Sequence, residues 1–475
     1  MELKDAVIKK IVNQVLQEQR QGGCKKAPTG QSFPCGGDFG VFQTMNEAID
    51  AAEEAQTEYM LCTMADRQRF VDVIRATITE PQTLAYISRE AVAETGMGNV
   101  EDKLKKNKAA AENSPGTEDL ITEAKSGDRG LTLTEYCPFG VIGAITPATN
   151  PSETIICNSI GMLAGGNTVV FSPHPRAKKL SAWLVKLLNQ RLIEAGAPFN
   201  LITTVAEPSF ESTGEMMKHP KIRMLVATGG PGIVKLVMSS GKKAIGAGAG
   251  NPPVVVDETA DIRKAARDII SGCSFDNNLP CIAEKEVVAV DQIADTLIEE
   301  MKQYGGYWVD EPAVIETLWK LVSNEKGGPS VDFVGKSAAY ILEKAGLPVP
   351  PQVKVIFFEA QADHPFVREE MMMPILPIVR AKNVDEAIEL ACVFENGNRH
   401  TAMMHSTNVE KLSKMAKRLQ TTIFVKNAPS YAGIGVGGEG STTFTIAGPT
   451  GEGITSARSF CRKRRCVMSD ALHIR

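Results

Sequence analysis

Val141-Ile142-Gly143-Ala144-Ile145-Thr146 is a run of apolar and β-branched residues with no alternation of polarity. Such a run reads as a strand buried on both faces. The same rhythm repeats outward from it. Residues 152–163 are helical in pattern, Thr168-Val169-Val170-Phe171 is a second strand, and residues 177–195 form a second helix. Residues 201–205, 209–218, 224–227 and 232–240 continue as strand, helix, strand and helix. This alternation implies an α/β fold with a parallel sheet covered on both faces. Ligands of such sheets bind beyond the carboxyl ends of the strands. Those ends carry Pro147-Ala148-Thr149-Asn150-Pro151, Ser172-Pro173-His174-Pro175 and Thr228-Gly229-Gly230-Pro231-Gly232. The last is a strand, a glycine turn and a helix opening on proline. It is either a phosphate cradle of free N–H groups or an ordinary tight turn.

The amino-terminal side is helical. Residues 1–19 place Leu3, Val7, Ile8, Ile11, Val12, Val15 and Leu16 at helical spacing, with a polar opposite face. Residues 21–40 contain Gly22-Gly23, Pro28, Gly30, Pro34 and Gly36-Gly37, the composition of a linker. An apolar-faced helix on a tether reads as a docking tag, or else as a helix folded back on its own domain. Its polar face mixes charges, which argues against a membrane-surface helix. Thr44 caps a helix opening at Asn46, residues 67–79 supply another, and Asn113-Ser114-Pro115-Gly116 ends the helical region. Leu131-Thr132-Leu133-Thr134-Glu135-Tyr136 alternates and reads as a strand.

On the carboxyl side a second α/β unit starts near Gly246-Ala247-Gly248-Ala249-Gly250-Asn251, ahead of the strand Val254-Val255-Val256. It contains Phe275-Asp276-Asn277-Asn278-Leu279-Pro280-Cys281-Ile282-Ala283-Glu284-Lys285. Pro280 forbids a helix through this stretch, so Cys281 stands on a constrained loop before the strand Val287-Val288-Ala289-Val290. There it is either a presented thiolate or a buried inert thiol. Glu370 is one acid in the apolar setting Met371-Met372-Met373-Pro374. His400 and His405 bracket a strand, each either packed as structure or titrating. A literal GxGxxG occurs at Gly435, Gly437 and Gly440, but the β-prone Ser441-Thr442-Thr443-Phe444-Thr445 follows where a dinucleotide fingerprint needs a helix. We read it as a mobile loop near the site. The tail Cys461-Arg462-Lys463-Arg464-Arg465-Cys466-Val467-Met468 reads as a basic strand, suited to a solvated edge or a subunit contact.

The 475 residues allow roughly three domains' worth of core. With 43% hydrophobic and 23% charged residues and a net charge of -4, the composition offers no electrostatic case for nucleic acid. The ten cysteines form no CxxC pair and none has a histidine at zinc-ligand spacing, so no metal is expected. Cysteines scattered without a secretory leader imply a reducing compartment, and no apolar run reaches the length of a membrane span.

Several long stretches in one order resemble the aldehyde dehydrogenase superfamily: Glu94-Thr95-Gly96-Met97-Gly98, residues 246–257, residues 275–285 and residues 400–406. They look most like its coenzyme A-acylating members from bacterial microcompartments, which act on propionaldehyde or acetaldehyde. The resemblance implies two Rossmann-like parallel-sheet domains plus a small β oligomerisation hairpin. It places an encapsulation helix at residues 1–20, a linker at 21–40 and a dinucleotide-binding domain at 41–245, with 120–139 contributing to the hairpin. A catalytic domain follows at 246–440, and a return segment with the oligomerisation strand at 441–475. Cys281 falls on the family's nucleophile, Asn150 on its oxyanion amide and Glu370 on the glutamate that holds the nicotinamide ribose. The cofactor, NAD, would lie against Thr146, Pro147, Ser172, Pro173, His174, Thr228, Gly229, Gly230, Ala247 and Gly248. We nominate His400 as the base, with His405 as the weaker candidate. Ala247 stands where hydrolytic members carry a water-activating glutamate, so coenzyme A is the expected acyl acceptor. The lysine and glutamate that usually grip the adenosine ribose are also missing from Phe171-Ser172-Pro173-His174-Pro175.

The resemblance further implies a homodimer or homotetramer in the bacterial cytoplasm, inside a microcompartment, bound through residues 1–20 to shell or luminal proteins. The readings it competes with are a hydrolytic aldehyde dehydrogenase, an acyl-phosphate reductase of the same superfamily, and a non-enzymatic luminal scaffold.

Overall fold

The computed structural model of the chain describes residues 37–473. The docking helix expected at residues 1–20, and all but the end of the linker, lie outside the described residues.

The expected parallel sheet is six-stranded. Its order is Val41–Phe42, Ile202–Val205, Val169–Pro173, Ile142–Thr146, Met224–Thr228, Lys243–Ala247. All pairs are parallel. The strand Ile142–Thr146 is buried along its whole length, as its unbroken apolar run requires. Every residue of the following helix, Pro151–Ala164, is buried too. The strand Lys243–Ala247 was not foreseen. Gly246 and Ala247, read as the opening of the second unit, pair with Ala227 and Thr228 at the edge of this first sheet.

The second sheet is also parallel and has seven strands, ordered Gly306–Trp308, Val355–Glu359, Ile375–Ala381, Glu286–Val290, Pro253–Val256, Thr401–His405, Ile423–Lys426. A separate antiparallel sheet joins Cys461–Ser469 to Gly130–Pro138, and Gly130–Pro138 to Glu123–Gly127. The basic tail and the alternating segment are therefore partners, with Arg464 opposite Glu135 and Lys463 opposite Tyr136. After the glycines at 435–440 no helix follows; the next regular element is the strand Ile446–Ala447.

Thr44 caps the helix Met45–Tyr59 in a reciprocal box. The Glu47 N–H donates to the Thr44 hydroxyl at 3.3 Å, and the Thr44 N–H donates to Glu47 Oε2 at 3.0 Å. A small apolar cluster of Met97, Ala148, Leu279 and Val334, with Met372 against it, joins loops from both sheets. Ala148 lies two residues before Asn150, Leu279 two before Cys281 and Met372 two after Glu370. This cluster fixes the loops of the site relative to one another. No helix among the described residues is long and apolar enough to cross a membrane.

Candidate active site

The loop before Cys281 is built from backbone conformations that L-residues seldom adopt. Asp276, Asn277 and Asn278 have φ of 49°, 54° and 64°. Asn and Asp tolerate this region better than other side chains, because their short polar groups bond locally. Asn278 does so: its amide donates to the carbonyls of Cys273 and Glu284, each at 2.9 Å. Its own oxygens accept from the Lys285 ammonium, Oδ1 at 2.5 Å and the carbonyl at 3.1 Å. Cys281 itself is half-buried. Burial pushes its thiol up to about 12, and the Glu370 carboxylate adds to the push, while the Lys285 and Lys106 charges pull the other way.

Beneath this loop lies a cluster of buried charges that the sequence reading missed. The side chains of Lys106, Glu153 and Asp276 are 0% exposed and that of Lys103 is 1% exposed. Lys103 stands 3.1 Å from Asp276 and 3.6 Å from Glu153. Lys106 pairs with Asp276 and lies 3.0 Å from Glu153. It also donates to Asn150 Oδ1 at 2.5 Å. Burial alone would pull Lys106 down, yet Asp276 and Glu153 together carry it above the ordinary lysine range. Removing one charge strands the others. Asp276→Asn is expected to cost about 3–5 kcal/mol in urea unfolding. The charge-balanced pair Lys106→Met with Asp276→Asn is expected to lose less than either single change.

Cys281, Glu370 and His400, with the un-nominated Gly250 beside them, enter from the amino ends of neighbouring strands of the second sheet. Cys281 precedes Glu286–Val290, Glu370 precedes Ile375–Ala381, His400 precedes Thr401–His405, and Gly250 precedes Pro253–Val256. The nominated positions thus lie at the carboxyl ends of the first sheet's strands but at the amino ends of the second's. His405, the weaker base candidate, falls at the opposite end of its strand from His400 and is not part of this group. His400 is buried, with Nδ1 2.8 Å from the Thr401 hydroxyl and Nε2 without a partner. Burial, helped by the Lys285 charge, pulls it down to about 4, so the ring is neutral at physiological pH. Glu370 is partly buried, and its Oε1 has no partner. Burial raises its proton affinity, against the pull of Lys285.

Glu284, three residues beyond Cys281, is buried and accepts from the Ser430 N–H at 2.8 Å and the Ser430 hydroxyl at 2.7 Å. Burial nevertheless raises it from 4.5 to about 7. The folded protein then keeps a proton that the unfolded chain releases at lower pH. Stability from this group is complete below 4.5 and is lost as pH rises through about 7. Glu284→Gln, which keeps the hydrogen bonds because the Ser430 hydroxyl can also accept, should flatten that slope. Urea unfolding of wild type at pH 5 and pH 8 should differ through this group by on the order of 3 kcal/mol, and the variant should not show that difference.

On the first sheet, the proposed cofactor positions line the carboxyl ends of four consecutive strands. Thr146 aligns with Pro173 across one pair and Thr228 with Ala247 across another. Ser172 is buried with its hydroxyl 2.8 Å from that of Thr213, whereas His174 is exposed. Side-chain space at Gly230 and Gly232 is open, so a ligand can reach the backbone at the start of the helix Pro231–Met238. Beside it opens a cleft of about 390 Å³ lined by Pro231, Val234, Met238, Gly248, Ala249 and Pro449, among others. An open glycine turn, an apolar cleft and the unpartnered Glu370 Oε1 together fit a dinucleotide.

Comparison with known proteins gives the family. The model of the aldehyde dehydrogenase family matches residues 41–308 and 331–453. The propanal dehydrogenase (CoA-propanoylating) of Salmonella typhimurium is 52% identical over 437 residues, covering 92% of this chain and 93% of that protein. The crystal structure of Rhodopseudomonas palustris propionaldehyde dehydrogenase with bound CoA and an acylated cysteine superposes with a TM-score of 0.91 at 64% identity, covering 92% of this chain and 99% of that one. A propionaldehyde dehydrogenase from the Clostridium phytofermentans fucose utilisation bacterial microcompartment gives a TM-score of 0.90 at 56% identity, covering 92% and 100%. This chain belongs to the aldehyde dehydrogenase family.

Proposed function

We propose that the protein oxidises a short-chain aldehyde, propionaldehyde or acetaldehyde, to its acyl-CoA while reducing NAD. One observation carries the choice of acyl acceptor. The stretch from Gly246 to Asn251 runs against Cys281: a Cβ on Gly250 would lie 2.6 Å from the Cys281 carbonyl and 2.9 Å from the His400 ring. That stretch contains no ionisable side chain to activate water. A thioester formed beside it waits for another nucleophile.

The Cys281 thiol gives its proton to His400, and the thiolate attacks the aldehyde carbon; the C–S bond forms as the carbonyl π pair moves onto oxygen. The oxygen becomes an oxyanion held by the Asn150 side-chain amide and the Cys281 N–H. Glu370 would hold the nicotinamide ribose, and the glycine turn at 229–230 would face the phosphates. The nicotinamide, when bound, supplies the hydride acceptor. Cys281 is left as a thioester. The thiolate of coenzyme A then attacks the same carbon, the same donors hold the second oxyanion, and the Cys281 thiolate leaves. His400, neutral and with no partner on Nε2, is the base we assign to the Cys281 thiol.

The test is NADH formation from a short aldehyde and NAD, with and without coenzyme A. Without coenzyme A we expect about one equivalent of NADH per subunit and then arrest. Sustained turnover without it would make the enzyme hydrolytic, and dependence on phosphate instead would make it an acyl-phosphate reductase. We place the protein in a microcompartment lumen of the bacterial cytoplasm, held there by residues 1–20. Deleting those residues should leave turnover in vitro unchanged and abolish co-purification with shells; packaging of the truncated protein would contradict this. The exposed basic strand Cys461–Ser469, at the edge of its sheet, is the surface we assign to a homodimer or homotetramer. Sedimentation equilibrium reads that state.

A further inference from the structure

The charge cluster beneath the site is not needed for any bond made or broken above, yet it touches both the oxyanion donor and the loop of the nucleophile. We infer that Lys106 is a positioning residue: its ammonium fixes which way round the Asn150 amide sits and ties that amide to the Cys281 loop. The inference rests on the reading of Asn150 as oxyanion donor.

An asparagine side chain can present either its oxygen or its NH2 group to a given neighbour, and the two orientations have nearly the same shape. Only one serves an oxyanion. With the oxygen facing the reacting centre, a lone pair would meet the developing negative charge. An ammonium can only donate. The atom 2.5 Å from Lys106 Nζ is therefore Oδ1, and Nδ2 is held on the other branch. Among the described residues Nδ2 donates to the Thr149 hydroxyl at a long 3.3 Å, which leaves an N–H for a ligand. The Asn150 backbone is held as well: its carbonyl accepts from the Thr154 hydroxyl at 2.7 Å and the Thr154 N–H at 3.2 Å.

The same ammonium reaches the nucleophile's loop through Asp276, which opens the left-handed run ending three residues before Cys281. The Asp276 carboxylate is itself located by the Asn99 N–H at 2.9 Å. Gly98, at φ +77°, leaves the space it fills; a Cβ there would strike the carboxylate. This gives a physical reason for a glycine at the end of Glu94-Thr95-Gly96-Met97-Gly98. Lys106 thus locks donor and nucleophile into one unit, and its charge is also felt by the thiol. A cluster that served stability alone would have no need to spend its shortest bond to a neutral group on the Asn150 oxygen.

The experiment uses the full chain and follows the burst of NADH from propionaldehyde and NAD with coenzyme A withheld. Four variants are compared: Lys106→Met, the charge-balanced Lys106→Met with Asp276→Asn, Asn150→Ala, and the triple combination. The balanced pair carries the test if the single Lys106→Met fails to fold. Alkylation of Cys281 by iodoacetamide, a reaction with no oxyanion, is the control for loop integrity. We expect the burst rate of the balanced pair to fall about a hundredfold, as for loss of one oxyanion donor, with alkylation affected far less. Adding Asn150→Ala to the pair should slow it no further, because both changes remove the same donor. A burst within about threefold of wild type in the balanced pair, or losses that multiply in the triple variant, would overturn the inference. A slow Asn150→Ala beside a fast balanced pair sinks this inference alone. A fast Asn150→Ala sinks the oxyanion assignment and this inference with it.

Discussion

Cys281→Ala is expected to reduce aldehyde-dependent NADH formation by on the order of 10⁵-fold, while the protein stays folded. The reason is that the proposed chemistry has no second route to an acyl group. Hydride leaves, and the acyl group is handed on, only from the carbon bonded to this sulfur. The fold has little stake in the thiol: Cys281 is half-buried and packs only at the margin of the main core. What holds its loop is the left-handed run at 276–278 and the Lys285–Asn278 clamp, neither of which uses the Cys281 sulfur. Absorbance at the NADH band and a thermal melt check the two halves of this expectation. A variant that still reduced NAD at a measurable fraction of the wild-type rate would mean that another group is the nucleophile.

Asn150→Ala comes second in size. Loss of one preorganised donor to an oxyanion costs about 2.7–4 kcal/mol in comparable sites, or roughly 10²–10³ in rate. The bound aldehyde carries little charge on its oxygen, so the loss belongs in kcat and not in KM. Because the acyl group leaves by the same kind of tetrahedral state by which it arrives, transfer to coenzyme A should slow by a similar factor. Single-turnover measurement of NADH formation, followed by addition of coenzyme A to the acylated enzyme, separates the two steps. A variant slowed in the first step alone would place the second oxyanion elsewhere.

Much of the scaffold was readable because its signals are local. The unbroken apolar run at 141–146 and the helices between strands follow from burial on both faces. Pro280 and the Asn-rich stretch before Cys281 marked an irregular loop, and left-handed asparagines are what the structure has there. The missed features are those in which local pattern and tertiary outcome disagree. Lys103, Lys106 and Asn107 sit on the helix Val100–Asn113, whose polar composition reads as a solvated face. They are buried because Glu153 and Asp276, far along the chain, arrive to meet the two lysines. Nothing near residue 106 signals that. The edge strand Lys243–Ala247 begins on an exposed lysine and includes a glycine, so it lacks the apolar run of its neighbours. The direction in which the second sheet points its site was equally hidden. Spacing placed His400 and His405 at two ends of a strand but said nothing of which end faces Cys281.

The most direct measurement is mass spectrometry of enzyme incubated with propionaldehyde and NAD, coenzyme A withheld. The account predicts one propionyl group on the peptide that contains Cys281, removed when coenzyme A is added. An unmodified Cys281 in a sample where NADH has formed would contradict it.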